Sequence, residues 1–146
     1  ITYSAANNTC EICNQKGKDQ GYRHNVECHE IWEYNDRRKI QKLIGLIALC
    51  PICHITKHFG RASAMGNQGL AITKLQEVNN WSHKKVVEYL AESYQIHKER
   101  SKHEWLLDLS LLADEPYGII INTKEKRKFK KTTWKKKRKK KVPRGT

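Results

Sequence analysis

The chain has 146 residues, 30% of them charged and 38% hydrophobic, and a net charge of +14, which allows one domain with a modest core and appendages. The charge is uneven: positions 124–144 hold 14 Lys/Arg against one acid, leaving 15 basic and 14 acidic residues in the first 123. No apolar run, "LIGLIALCPIC" included, reaches the ~18 residues of a bilayer span, and "ITYSAANNTC" has neither the basic nor the apolar region of a signal peptide; a membrane protein and a secreted disulfide scaffold are therefore not expected.

In chain order, "NNTCEICNQKGKDQG" reads as a polar, glycine-bearing turn region. "YRHNVECHEIWEY" has the aromatic and β-branched content and partial alternation of a strand, "NDRRKIQK" reads as a charged loop, and "LIGLIALC" as a second strand. "CHITKHFGRASAMG" predicts a short helix closing near Gly60. Residues 67–112 look helical: Leu70, Leu75 and Val78 lead to Trp81, and Ser82 is placed to cap a second helix. Along that helix Val86, Val87, Leu90, Tyr94 and His97 keep helical spacing. Trp105, Leu106, Leu109 and Leu112 extend an apolar stripe after a break near Ser101, and the pair is expected to pack over the core. "DEPYGIIIN" reads as a turn and a short edge strand.

Four of the five cysteines form two C-x-x-C pairs, Cys10/Cys13 and Cys50/Cys53, separated by 36 residues. Thiolates satisfy Zn(II) in a closed tetrahedron, and two such turns can offer two sulfurs each. A structural zinc is expected, supplying on the order of 10 kcal/mol of folding free energy to a small core. The proline of "CPIC" suits a turn that aims both sulfurs inward. Reduced core cysteines would not account for the repeated spacing. Cys28 stands alone and reads as a strand residue.

If the thiols fill the zinc, His54 and His58 are left over. At positions i and i+4 of a helix they share a face, which makes a second metal the natural reading. Glu27, His29 and Glu30 lie on the strand upstream. The Cys10–Cys13 pair, "ECHEIW" with "WEY" after its histidine, "GLIALC", "CPICHITKHFGRA" and a later "HEWLLDLS" resemble the HNH (ββα-metal) endonucleases, more narrowly a zinc-stapled McrA-like bacterial and phage subgroup. The resemblance covers roughly residues 8–112.

The resemblance implies hydrolysis of nucleic-acid phosphodiesters with one divalent ion, Mg(II), Mn(II) or another. The ion neutralises charge on the phosphorane and leaving oxygen, and an imidazole with a pKa near ~6.5 accepts a proton from water. On that resemblance His29 is the general base and His54 and His58 are metal ligands. Glu27 or Glu30 is the acidic strand ligand, and period-2 geometry puts Glu27 on the face of His29. If His29 were instead the ligand, the base position would fall on Glu30, a poorer acceptor unless desolvated. Two features depart from the family: the strand carries Cys28-His29-Glu30 rather than a His-His or Asp-His pair, and the middle asparagine falls on Gly45, with Asn25, Asn35 or Asp36 as stand-ins. His24, His83, His97, His103, Glu104 and Trp105 read as surface or packing residues.

The tail cannot bury a core and is expected to be disordered in solution. Lys130, Lys131, Lys135, Lys136, Lys137, Arg138, Lys139, Lys140 and Lys141 would neutralise phosphates without reading sequence. Trp134 and Phe129 among them would stack on bases.

The expected fold is α+β: a small ββα-metal (HNH) core with a four-cysteine zinc site over residues 1–66, packing helices over 67–123, and a nucleic-acid-binding tail over 124–146. The expected partner is DNA or else RNA, with no membrane and with scope for a larger nucleoprotein complex. The expected setting is a bacterial or phage-infected cytoplasm, or the nucleus of a eukaryote. The competing reading is a zinc-bound adaptor that binds nucleic acid without cutting it.

Overall fold

The computed structural model describes residues 1–119. The basic tail, with Lys130 through Lys141 and Trp134, lies outside them, as does most of the edge strand expected in "GIIIN".

Two long strands, β1 (Glu27–Asn35) and β2 (Ile40–Leu49), form an antiparallel hairpin. Its turn is closed by Asn35 Oδ1, which accepts from the Arg38 amide at 2.9 Å. Lys39, in the left-handed region at φ 54°, then redirects the chain. β2 starts at Ile40, inside the segment that reads as a charged loop, because Ile40, Gln41 and Lys42 pair with Asn35, Tyr34 and Glu33. The register shifts between Ile31 and Trp32, which face Gly45 and Leu43, so that Ile44 is bulged out of the ladder.

β2 ends in the buried pair Ala48–Leu49 and runs into α2 (Pro51–Lys57), the short turn of helix Thr2–Ala5 being α1. Proline fits the first helical turn, where no intrahelical partner awaits its missing N–H, and Cys50 caps the helix by accepting from the Cys53 amide at 3.5 Å. The helix does not close at Gly60. It breaks at His58 (φ −99°, ψ 52°) and resumes as α3 (Phe59–Ala64), and the chain turns at Gly66, φ +78°. Gly60 has open space where a Cβ would stand and a helical backbone, so nothing there demands a stop.

α4 (Gln68–Asn79) packs on α2 and ends at a left-handed Asn80. Ser82 caps α5 (His83–Arg100), its Oγ accepting from the Lys85 amide at 3.2 Å. Of the α5 stripe, Val86 is buried and Leu90 half-buried, whereas Val87 and Tyr94 are exposed. The apolar stripe after Ser101 is not a helix. Leu106–Asp108 is a third strand, β3, parallel to Ile40–Lys42, followed by a 3-10 turn at Ser110–Ala113. The sheet order is β1-β2-β3.

The fold is α+β, and its core is small. Cys10, Leu49, Cys50 and Cys53 form its centre, with Ile12, Cys13, Ile47 and Ile52 packed around them. So little apolar volume needs a staple to hold the hairpin, the N-terminal turn and α2 together. Among the described residues no helix is long and apolar enough to cross a membrane.

Candidate metal centres

The N-terminal turn brings the first thiol pair to the second. The Glu11 amide donates to the Ala48 carbonyl at 2.9 Å, which lays the Cys10–Cys13 turn against the end of β2, where Cys50 and Cys53 open α2. The four Sγ atoms lie within 4.8 Å of one another, with Cys13 and Cys50 3.6 Å apart. Zn–S bonds of ~2.3 Å in a tetrahedron set the sulfurs about 3.8 Å apart. The tetrad is thus dimensioned to hold a structural metal such as zinc.

Its electrostatics agree. Burial, and then the charges of Cys50 and Cys10, push the Cys53 thiol well up. Burial raises Cys13 as well. Cys10, although burial opposes it, is brought down to about 7 by the amides of Cys13, Cys50 and Ile12. Four thiols this close resist ionising together unless a cation shares their charge.

A second cluster stands apart from the first. His29 from β1 and His54 and His58 from α2 and its end bring one ring nitrogen each to within 4.8 Å of the others. The three rings meet edge to face, with centroids 4.9–5.2 Å apart. Nε2 of His54 and Nε2 of His58 are 3.2 Å apart, close to the ~3.3 Å that two nitrogens span across a tetrahedral ion at ~2.0–2.1 Å each. His29 Nδ1 is buried without a hydrogen-bond partner. Two imidazole nitrogens at that spacing, with a third ring alongside, make a group able to hold a cation.

Glu27 sits behind this cluster. One carboxylate oxygen accepts from His54 Nδ1, and the other pairs with His24 Nε2 at 2.8 Å. A proton held on Nδ1 leaves the Nε2 lone pair of His54 aimed at His58, an arrangement common where a carboxylate orients a metal-ligating histidine. Burial works against ionising Glu27, but its two histidine partners outweigh it and hold the carboxyl below its ordinary range. Glu30 is exposed and contributes no atom to the cluster. Burial, and then the neighbouring imidazoles, hold His29 and His58 below the ordinary histidine range. From the rim, Lys57 acts on His29 and Arg61 on His58 in the same sense.

The stand-ins for the middle asparagine are differently employed. Asn35 caps the hairpin turn, and Asp36 is held by Arg100 through two bonds of 2.9 and 3.0 Å. Asn25 Oδ1 is buried without a partner. Gly45 faces Ile31. Cys28 joins neither cluster, its Sγ lying 3.8 Å from Thr2 Oγ1.

No family model, curated protein or solved structure matches this chain. The geometry of the two clusters therefore carries the functional reading.

Two sets of contacts are not legible in the sequence. His24, which reads as a surface residue, is tied to Glu27; the i,i+3 spacing is the one available signal. Gln15, Gln20 and Lys74 gather beside the thiols, and nothing in their spacing announces it.

Proposed function

We propose that this protein is a metal-dependent endonuclease of the HNH (ββα-metal) type that hydrolyses phosphodiester bonds in DNA. The observation that supports it most is the convergence of His29, His54 and His58 from a strand and the following helix, apart from the four thiols. Four thiols that hold a scaffold ion leave the imidazoles free for a hydrolytic one.

A divalent ion held there supplies charge neutralisation at the phosphorane and the leaving oxygen. His54 and His58 are the ligands, with Glu27 fixing the His54 tautomer. An all-imidazole set suits Ni(II), Fe(II) or another such transition ion better than Mg(II) or Mn(II), which prefer oxygen donors. His29 takes the proton from the attacking water. Its depressed basicity keeps it neutral and able to accept at pH 7. Lys57 and Arg61, both exposed at the rim, are placed to meet phosphates flanking the scissile one. The tail supplies non-specific affinity.

Plasmid nicking with Ni(II), Mn(II) or Mg(II) tests this reading, the native chain being compared with His29→Ala. Nicking that the substitution abolishes is expected. No nicking by the native chain under any divalent ion, with DNA binding intact, would leave the adaptor reading in its place.

A further inference from the structure

Four thiolates around one divalent ion would form a dianion, and the tetrad that would hold it sits among Leu49, Ile12, Ile47 and Ile52. A buried charge of that kind needs compensation from close by. Among the described residues, the one buried charged side chain is that of Lys74 on α4, 8% exposed. Its Nζ donates to Gln15 Oε1 at 3.4 Å. The same oxygen lies 3.7 Å from Cys13 Sγ and accepts from Gln20 Nε2 at 2.8 Å, and Gln20 Nε2 also reaches Cys50 Sγ at 3.5 Å. An ammonium and an amide are thus gathered on the side of the tetrad that α4 covers.

We infer that Lys74 and Gln20 are the outer sphere of the metal-loaded tetrad: Lys74 supplies the compensating positive charge, and Gln20 donates to a sulfur. The inference rests on the reading of the tetrad as a zinc site. It makes α4 part of the metal centre and gives the helix a reason to dock where apolar burial is thin, with Ala71 its one fully buried apolar side chain.

Glu77 also binds Lys74, at 2.8 Å. That pair alone does not account for the burial, because an i,i+3 pair forms readily on an exposed helix face and the Glu77 side chain is 56% exposed. Burial works against the Lys74 charge, while Glu77 and then Cys13 and Cys53 favour it.

The test is zinc affinity of the full chain, measured by competition with a chromophoric chelator. Lys74→Met keeps the stem and removes the charge; it is expected to hold zinc about 10-fold more weakly, as loss of an outer-sphere partner does. Lys74→Arg should restore most of that affinity. Glu77→Gln should hold zinc as tightly as the native chain or more tightly. Native affinity in Lys74→Met overturns the inference, and so does a loss in Glu77→Gln equal to that in Lys74→Met, which would make Lys74 a partner of Glu77 alone. Should Lys74→Met fail to fold, Glu77→Gln decides: zinc held as tightly or more tightly supports the inference, and weaker zinc overturns it. A native chain that takes up no zinc would remove the dianion and the inference with it, an outcome distinct from equal affinities.

Discussion

At the residue scale the position of Glu27 is the most informative. Strand periodicity places it on the face of His29, which makes a direct ligand of it if the face is all that is known. Both its oxygens are taken by imidazoles, His54 on one side and His24 on the other. As an orienting group it should matter by degree rather than absolutely. Glu27→Gln keeps the size and offers His54 a weaker acceptor, so Ni(II) affinity measured by calorimetry should fall about 10-fold while zinc content stays unchanged. Complete loss of Ni(II) binding would show direct ligation instead, and unchanged binding would show neither role. Sequence could supply the two C-x-x-C pairs and the i,i+4 histidines, because their spacing in a turn or helix fixes direction. It could not supply the Glu27–His24 pair, because a strand face specifies direction and not the partner waiting there. Arg61 belongs to the same scale. If it contacts a flanking phosphate, Arg61→Ala should raise the KM for nicking several-fold and leave kcat near native; a fall in kcat alone would place it elsewhere.

At the scale of elements, the order strand, strand, helix is legible because the apolar runs are short and bounded by polar turns. The C-terminal third of the body is harder to read. Trp105, Leu106, Leu109 and Leu112 fit a helical stripe, yet the short run pairs with β2, since apolar segments of this length do not announce their period. A clasp decides it. The Arg100 guanidinium lies 4.1 Å from the Tyr34 ring centroid and grips Asp36, while Trp105 donates to the Arg100 carbonyl at 2.9 Å and meets Tyr34 edge-on. Arg100→Ala should therefore speed amide exchange at the paired amides of Leu106–Asp108 and leave β1 and β2 protected. Equal exchange in the two chains would mean that β3 holds without the clasp. A second local constraint is Gly17, whose amide donates to Asn25 at 2.8 Å. A Cβ there would run into the His24 carbonyl and stand 2.7 Å from Pro51 Cδ. Both are stiff neighbours, so Gly17→Ala should cost about 1–3 kcal/mol in urea unfolding of the zinc-loaded chain. It would also shift the 3-10 turn Gly17–Gln20, which brings Gln20 to the thiols.

For the whole molecule, charge divides the labour. The first 123 residues are almost neutral, so the body brings little long-range attraction to a polyanion, while positions 124–144 carry 14 cations and one acid. Duplex affinity falls as about the 0.9Z power of salt concentration, where Z counts neutralised phosphates. If even half of those cations engage, raising salt from 50 to 200 mM lowers affinity by roughly 10³-fold or more. A chain ending at Thr123 should therefore bind DNA far more weakly at low salt and show a nearly flat salt dependence, read from fluorescence anisotropy with a labelled duplex. Its zinc content should be unchanged, because all four thiols lie in the body. Residual nicking at high enzyme concentration is expected as well, since the imidazole cluster also lies there. A truncated chain with the native salt slope would move the polyanion-binding surface into the body, onto the rim of Lys57 and Arg61, and deprive the tail of its role.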